Sequence, residues 1–118
     1  MEFQVTYYKD SLGGKPVEEF LLELGKKNPK LQAKAFEGVL KLRNKTYHAE
    51  PLSKHIEPGL WELRIKSGSD ILRIFYTFTK GRVIILLHIF IKKKQKTPRG
   101  ELELARKRLK QIKTEEAN

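Results

Sequence analysis

Side chains able to grip a phosphate or move a proton recur at strand spacing in the second half of the chain: Arg64 and Lys66, then Arg73, then His88 and Lys92, with Lys93 directly after. A guanidinium is planar and permanently charged and holds two phosphate oxygens at once, so arginines on successive strands suit a phosphodiester. Cations fixed around phosphorus also stabilise the negative charge that grows in a transition state. The chemistry this set fits is cleavage of RNA by its own ribose, in which the 2′-hydroxyl attacks the adjacent phosphate and the 5′ oxygen leaves. The proton transfers call for a base and an acid. His88 has the one side chain of the set with an unperturbed pKa near neutrality, and a lysine crowded by other cations is the alternative because its pKa falls. Lys66, Lys94, Lys96 and Arg99 are expected to contact RNA backbone around the reacting centre.

Each of these residues also has a plainer reading. A histidine inside Leu86-Leu87-His88-Ile89-Phe90 suits a hydrogen-bonded structural role. Arg64 and Arg73 can pair with Glu62 across a hairpin, and the run from Lys92 to Lys96 can be a charged edge that discourages aggregation. Other chemistries find little support. The chain has no cysteine, which excludes disulfides, thiolate metal sites and a thiol nucleophile. It has no glycine-rich phosphate loop, no flanked Ser-His-Asp set and no pair of carboxylates beside the cations. His48 and His55, with Glu50 and Glu57 beside them, match no recognised metal spacing. Neither a metal nor another cofactor is expected.

A charge of +11 on 118 residues is distributed unevenly: the first 59 residues carry ten Lys/Arg and eight Asp/Glu, the rest fifteen and six. Positive charge gathered in one half points to nucleic acid or an acidic partner. The length suits one domain over residues 1–118. The first residues show no signal-peptide pattern, and the longest apolar run, Val83 to Leu87, is too short to cross a bilayer. A cytoplasmic protein without membrane partners is expected.

The elements that must position the cations follow from periodicity and punctuation. Phe3, Val5 and Tyr7 alternate with polar neighbours and mark a half-buried strand. After a Gly-rich loop, Pro16 can open a helix, and Val17, Phe20, Leu21 and Leu24 give its apolar stripe to about Lys27. Asn28-Pro29 ends that helix and caps the next, whose stripe is Leu31, Ala35, Val39 and Leu42, widened by Phe36 and Leu40. So tight a junction predicts an antiparallel hairpin. Tyr47 to Gly59 has no sustained period and reads as a connector.

Three strands then follow. Trp61, Leu63 and Ile65 seek the core while Glu62, Arg64 and Lys66 face away; after Ser67-Gly68-Ser69-Asp70 turns the chain, Leu72, Ile74, Tyr76 and Phe78 face inward, with Arg73 and Phe75 opposite. Arg82 to Ile91 is apolar on both faces and therefore central. Strict alternation sets Val83, Ile85, Leu87, Ile89 and Ile91 against Ile84, Leu86, His88 and Phe90, and leads the second face to Lys92. Thr97 caps a last helix opened by Pro98, with Leu102, Ala105, Leu109 and Ile112 as its stripe and residues 114–118 as a frayed tail. The fold class is α+β, in the order β-α-α-β-β-β-α.

The ordered motifs Leu60-Trp61-Glu62-Leu63-Arg64, Leu72-Arg73-Ile74-Phe75-Tyr76, Leu87-His88-Ile89-Phe90-Ile91-Lys92-Lys93, Gln95-Lys96-Thr97-Pro98 and Glu101-Leu102-Glu103-Leu104-Ala105 resemble the HigB-type, phage-derived branch of the RelE/ParE toxin superfamily. The similarity spans about residues 3–113. It implies a RelE-like fold in which an N-terminal helical hairpin and a C-terminal helix pack on a mainly antiparallel twisted sheet. It also implies a type II toxin: a ribosome-dependent mRNA endoribonuclease, silenced by a cognate helix-turn-helix antitoxin in a hetero-oligomer. On that resemblance Arg64 and Lys66 match the basic positions of the strand after the connector, Arg73 the arginine of the next, and Lys92 with Lys93 the basic pair that follows. The sequence departs at the start of the last helix, where Thr97, Pro98 and Arg99 stand in place of the tyrosine some RelE-like toxins use for proton transfer. The base and acid therefore stay open between His88 and a lysine. The same superfamily includes gyrase inhibitors without nuclease activity, and a non-catalytic RNA-binding module is the other alternative.

Overall fold

The structure, a computed structural model, describes residues 2–92 and 98–117. Five strands form one sheet in the order β1-β5-β4-β3-β2: β1 (Gln4–Tyr7), β2 (Ser53–Glu57), β3 (Leu60–Ser67), β4 (Asp70–Thr79) and β5 (Val83–Lys92). β1 runs parallel to β5 and the other pairings are antiparallel. The α+β class and the mainly antiparallel sheet are those expected, with β2 as an added edge strand.

Helices α1 (Pro16–Lys27) and α2 (Pro29–Lys41) cover one face. Asn28 joins them, its side chain accepting a hydrogen bond from the Leu31 amide at the start of α2 and its own amide donating to Leu24 at the end of α1. Val17, Leu21 and Leu24 of α1, with Leu31 and Ala35 of α2, meet Leu63, Ile65, Leu72, Ile74 and Tyr76 in the main core. Burying each large apolar side chain contributes about 1.5–3 kcal/mol. Gly38 lets α2 approach the sheet closely, because a Cβ there would lie 2.3 Å from Ile65 Cδ1. Phe36 and Leu40, expected to widen the buried stripe, are instead 38% and 60% exposed. They flank a surface groove with Phe3 and Val5, since the sheet ends at β1 and offers nothing further to cover them.

Helix α3 (Arg99–Ala117) lies over part of the opposite face, where Ala105, Leu102, Leu109 and Ile112 pack on Leu60, Phe75, Leu87 and Phe90. It runs through the expected tail. Thr114 Oγ1 donates to the Lys110 carbonyl at 2.9 Å, and Lys113 Nζ donates to the Phe78 carbonyl at 3.1 Å, tying this end to the sheet.

Two strand expectations need correcting. Tyr47 to Gly59 contains a short 3-10 turn (Lys45–Tyr47 at its start) and then β2, which pairs Ser53 with Leu63 and Lys54 with Glu62. In β5 the strict alternation breaks, because Phe75 pairs with His88 but Tyr76 pairs with Leu86, leaving Leu87 as a one-residue bulge. Ile84 and Leu86 consequently join Ile89 under the helical hairpin, while Leu87 turns to the α3 face with Phe90. None of the described helices is long and apolar enough to cross a membrane.

Candidate cationic cleft

Register aligns the cations. Arg64 stands opposite Arg73, Lys66 opposite Ile71, and Ile71 opposite Lys92, while Lys54 of β2 stands opposite Glu62. Because the strands hold these positions on one face, Lys54, Glu62, Arg64, Lys66, Arg73 and Lys92 converge on a cleft of about 320 Å³, with Ile56 and Ile71 as its apolar walls. Five cationic side chains face one carboxylate. The two arginines are anchored by core residues on either side in sequence, Arg64 by Leu63 and Ile65 and Arg73 by Leu72 and Ile74.

Glu62 is the hub. Its carboxylate is 1% exposed and accepts hydrogen bonds from Arg64 Nε at 3.1 Å and from Arg73 Nη1. Two like charges directly opposite in a ladder repel, and Glu62, on the diagonal from Arg73, offsets that repulsion while fixing both guanidinium planes. Among the described residues, Arg73 Nε and Glu62 Oε2 are buried without a hydrogen-bond partner. Arg64 also approaches Glu50 at 3.7 Å.

Lys92 is 3% exposed. Burial holds its amine below the usual lysine pKa, Arg73 pushes it further down, Glu62 opposes, and Arg64 and Lys54 add to the depression. A lysine so surrounded has more of its neutral form, the form that accepts a proton.

His88 shares this face but lies outside the residues lining the cleft. Its Nε2 is 3.0 Å from Glu101 Oε2, and its Nδ1 is 3.5 Å from Arg108 Nη1, which itself donates to the Leu87 carbonyl at 2.8 Å. Burial lowers the imidazole pKa, Glu101 draws it up and Arg108 down. His88 thereby ties β5 to α3, while the Arg106 guanidinium, forking onto Glu57 at 2.8–3.2 Å, ties α3 to the end of β2. Arg99 is exposed and pairs with Glu103 one turn along α3 at 2.8 Å, away from the cleft lining. Lys93, Lys94 and Lys96, and the Thr97 cap, lie outside the described residues.

His48 Nε2 contacts the Leu42 carbonyl at 2.6 Å and its ring packs edge-on against Phe3 and Phe78, while His55 packs on Trp61. Among the described residues no three potential metal ligands cluster. One charged cleft residue escaped sequence reasoning, Lys54, which sits on the unexpected strand β2. The pairing of Arg64 and Arg73 with Glu62, expected as the plainer reading of the two arginines, is present in the structure.

A family model described as Phage derived protein Gp49-like (DUF891) matches residues 22–110. No curated protein matches the chain.

Proposed function

The chain belongs to the phage-derived Gp49-like family of RelE/HigB-like toxins of toxin–antitoxin systems, and from that premise we propose that it is an mRNA endoribonuclease of the HigB-type branch that cuts translated message on the ribosome and is silenced by a cognate helix-turn-helix antitoxin. The observation that carries this reading is the convergence of Arg64, Arg73 and Lys92 around one cleft with a single buried carboxylate. In this mechanism the Arg73 and Arg64 guanidiniums hold the non-bridging oxygens of the scissile phosphate. The neutral Lys92 amine accepts the proton of the 2′-hydroxyl as that oxygen bonds to phosphorus. The P–O5′ bond breaks, an ammonium at Lys54 or Lys66 protonates the departing oxygen, and the products are a 2′,3′-cyclic phosphate and a 5′-hydroxyl. Both arginines stabilise the doubly charged phosphorane in between. Lys92 is preferred to His88 as base because it lines the cleft, whereas the imidazole is engaged by Glu101 and Arg108 and serves to position α3.

Expression of the chain alone should arrest growth, and mapping 5′ ends of message should show new cuts within translated reading frames. Arg64→Ala and Arg73→Ala should each lower cutting by about 100-fold or more, on the scale of losing one transition-state donor. Unchecked growth with abundant soluble wild-type chain would contradict the toxin reading. Arrest without new 5′ ends, or cuts unaltered in both variants, would favour inhibition by binding instead.

A further inference from the structure

A second cavity, of about 650 Å³, adjoins the cationic cleft and shares two lining residues with it, Arg64 and Lys66. Its remaining lining differs in kind: Tyr47, Ala49, Pro51 and Leu52 make it largely apolar, and Lys41, Thr46 and Glu50 supply isolated polar groups. We propose that this cavity receives the nucleobase next to the scissile phosphate of a single-stranded RNA, with Tyr47 as its stacking platform and Glu50 as the reader of its edge. The inference rests on the cleft binding a phosphodiester, as argued above.

Four observations converge. A phosphate held by Arg64 sits at the shared wall, so the base attached to its nucleotide has this cavity as its adjoining space. Tyr47 is 36% exposed although it is a large aromatic residue, leaving part of its ring uncovered. Its backbone is nonetheless fixed, because the Tyr47 amide donates to the Asn44 carbonyl at 3.0 Å and Asn44 Oδ1 accepts from the Thr46 amide at 2.9 Å. Lys41 Nζ stands 5.6 Å from the ring centroid, so the ring already accepts a cation on one side. Aromatic stacking is the sequence-tolerant way to hold an unpaired base. Glu50, 3.7 Å from Arg64, brings an acceptor-only carboxylate to the mouth of the cavity. Such a group accepts from an exocyclic amine and finds no donor of that kind on uracil.

The test measures binding separately from cutting. Fluorescein-labelled 2′-O-methyl hexanucleotides of adenine, cytosine or uracil lack the nucleophile and stay intact, and an abasic hexamer supplies the backbone alone. Anisotropy titrations with the whole chain should show the adenine and cytosine hexamers binding about 5- to 100-fold tighter than the abasic one, the range set by loss of one stacked base. Tyr47→Ala should remove that ratio, Tyr47→Phe should keep it, and Glu50→Gln should erase the preference over uracil. The salt dependence, which reports phosphate contacts, should be unchanged in all three variants. Equal binding of abasic and base-bearing hexamers, or an undiminished ratio in Tyr47→Ala, overturns the base pocket and leaves the phosphate cleft standing. Equal affinity for the three bases overturns the role of Glu50. Absence of any salt-sensitive binding overturns both the base pocket and the cleft it depends on.

Discussion

Replacing Glu62 with glutamine isolates the electrostatic centre of the cleft. The change keeps shape and one acceptor oxygen but removes the charge that faces Arg73 and Arg64, at a position 1% exposed, with the Arg73 side chain itself only 10% exposed. Breaking a buried pair by removing one partner costs about 3–5 kcal/mol, since the surviving charge is left uncompensated. Arg64 is 25% exposed and retains Glu50 within 3.7 Å, so water and that carboxylate take up part of its loss. The retained amide oxygen also preserves a hydrogen bond, which places the expected cost near the lower end, about 3 kcal/mol. With a urea dependence of roughly 1.5–2 kcal/mol per molar for a chain of this size, the unfolding midpoint should fall by about 1.5–2 M. A second arm removes both charges. Glu62→Gln with Arg73→Met should recover much of the loss, because an uncharged pair of similar volume needs no counter-ion. A midpoint shift below about 0.3 M in the single variant would refute the claim that this carboxylate is buried against its partners. A double variant as unstable as the two single changes added together would refute the coupling between them.

The pH behaviour of two groups follows from the direction of their shifts. His88 titrates below its ordinary value of 6.5 in the folded chain, so the unfolded state binds more protons between that lowered value and 6.5. Its contribution to stability is complete above about pH 6.5 and is lost as pH falls through the folded value; thermal melts of wild type and His88→Asn should converge between pH 7.5 and pH 5. Lys92 is likewise depressed from 10.5, so cutting of RNA should rise with pH through its lowered value and level off above it. That limb should vanish in Lys92→Met and move to lower pH in Glu62→Gln, because Glu62 is the partner that raises the lysine pKa. In the core, Gly38→Ala pushes a Cβ onto Ile65 Cδ1, an overpacking cost of about 1–3 kcal/mol set against a helix-propensity gain of about 1 kcal/mol. Ile65→Val removes that terminal carbon, so denaturation of the combined variant should show it to be more stable than the two separate effects predict.

The helical hairpin was legible because Asn28-Pro29 punctuates two apolar stripes, β3 because polar and apolar residues alternate without exception from Trp61 to Ile65, and β4 because Leu72, Ile74 and Tyr76 recur at strand spacing with Arg73 between the first two. β5 was legible as an interior strand but not in its facing. Every residue from Val83 to Leu87 is apolar, so no polar marker records the bulge that turns Leu87 to the same side as Phe90. β2 escaped for a related reason: the five residues Ser53–Glu57, set between Pro51 and Pro58, carry too short a pattern, and their identity as a strand comes from pairing with β3. The cations of the cleft could be chosen by residue type and strand parity, and the register of β3, β4 and β5 does set them on one face. Their division into separate groups could not be chosen that way. His88 and Lys92 are four residues apart on that face, yet α3 covers the first and leaves the second in the cleft, a distinction that depends on how Glu101 and Arg108 dock.

That division bears on how a small sheet can carry an uncovered cluster of positive charge. Ladder positions Arg64 and Arg73 face one another directly, and Lys92 adds a third charge on the neighbouring strand. With no carboxylate the cluster would oppose folding; with one carboxylate per cation it would have no attraction left for an anion. Glu62 is shared by two arginines, so the cleft is held together while its charge stays positive. The same sharing leaves the Lys92 pKa depressed, because Glu62 opposes but does not overcome burial and the neighbouring guanidinium of Arg73. Exchanging Lys66, which lines the cleft opposite Ile71 and not opposite a carboxylate, for glutamate should therefore stabilise the fold and raise the Lys92 pKa together, while weakening the binding of any phosphodiester. Urea midpoints and hexamer affinities measured on that one variant should move in opposite directions. Parallel movement would show that stability and anion binding are not in opposition in this cleft.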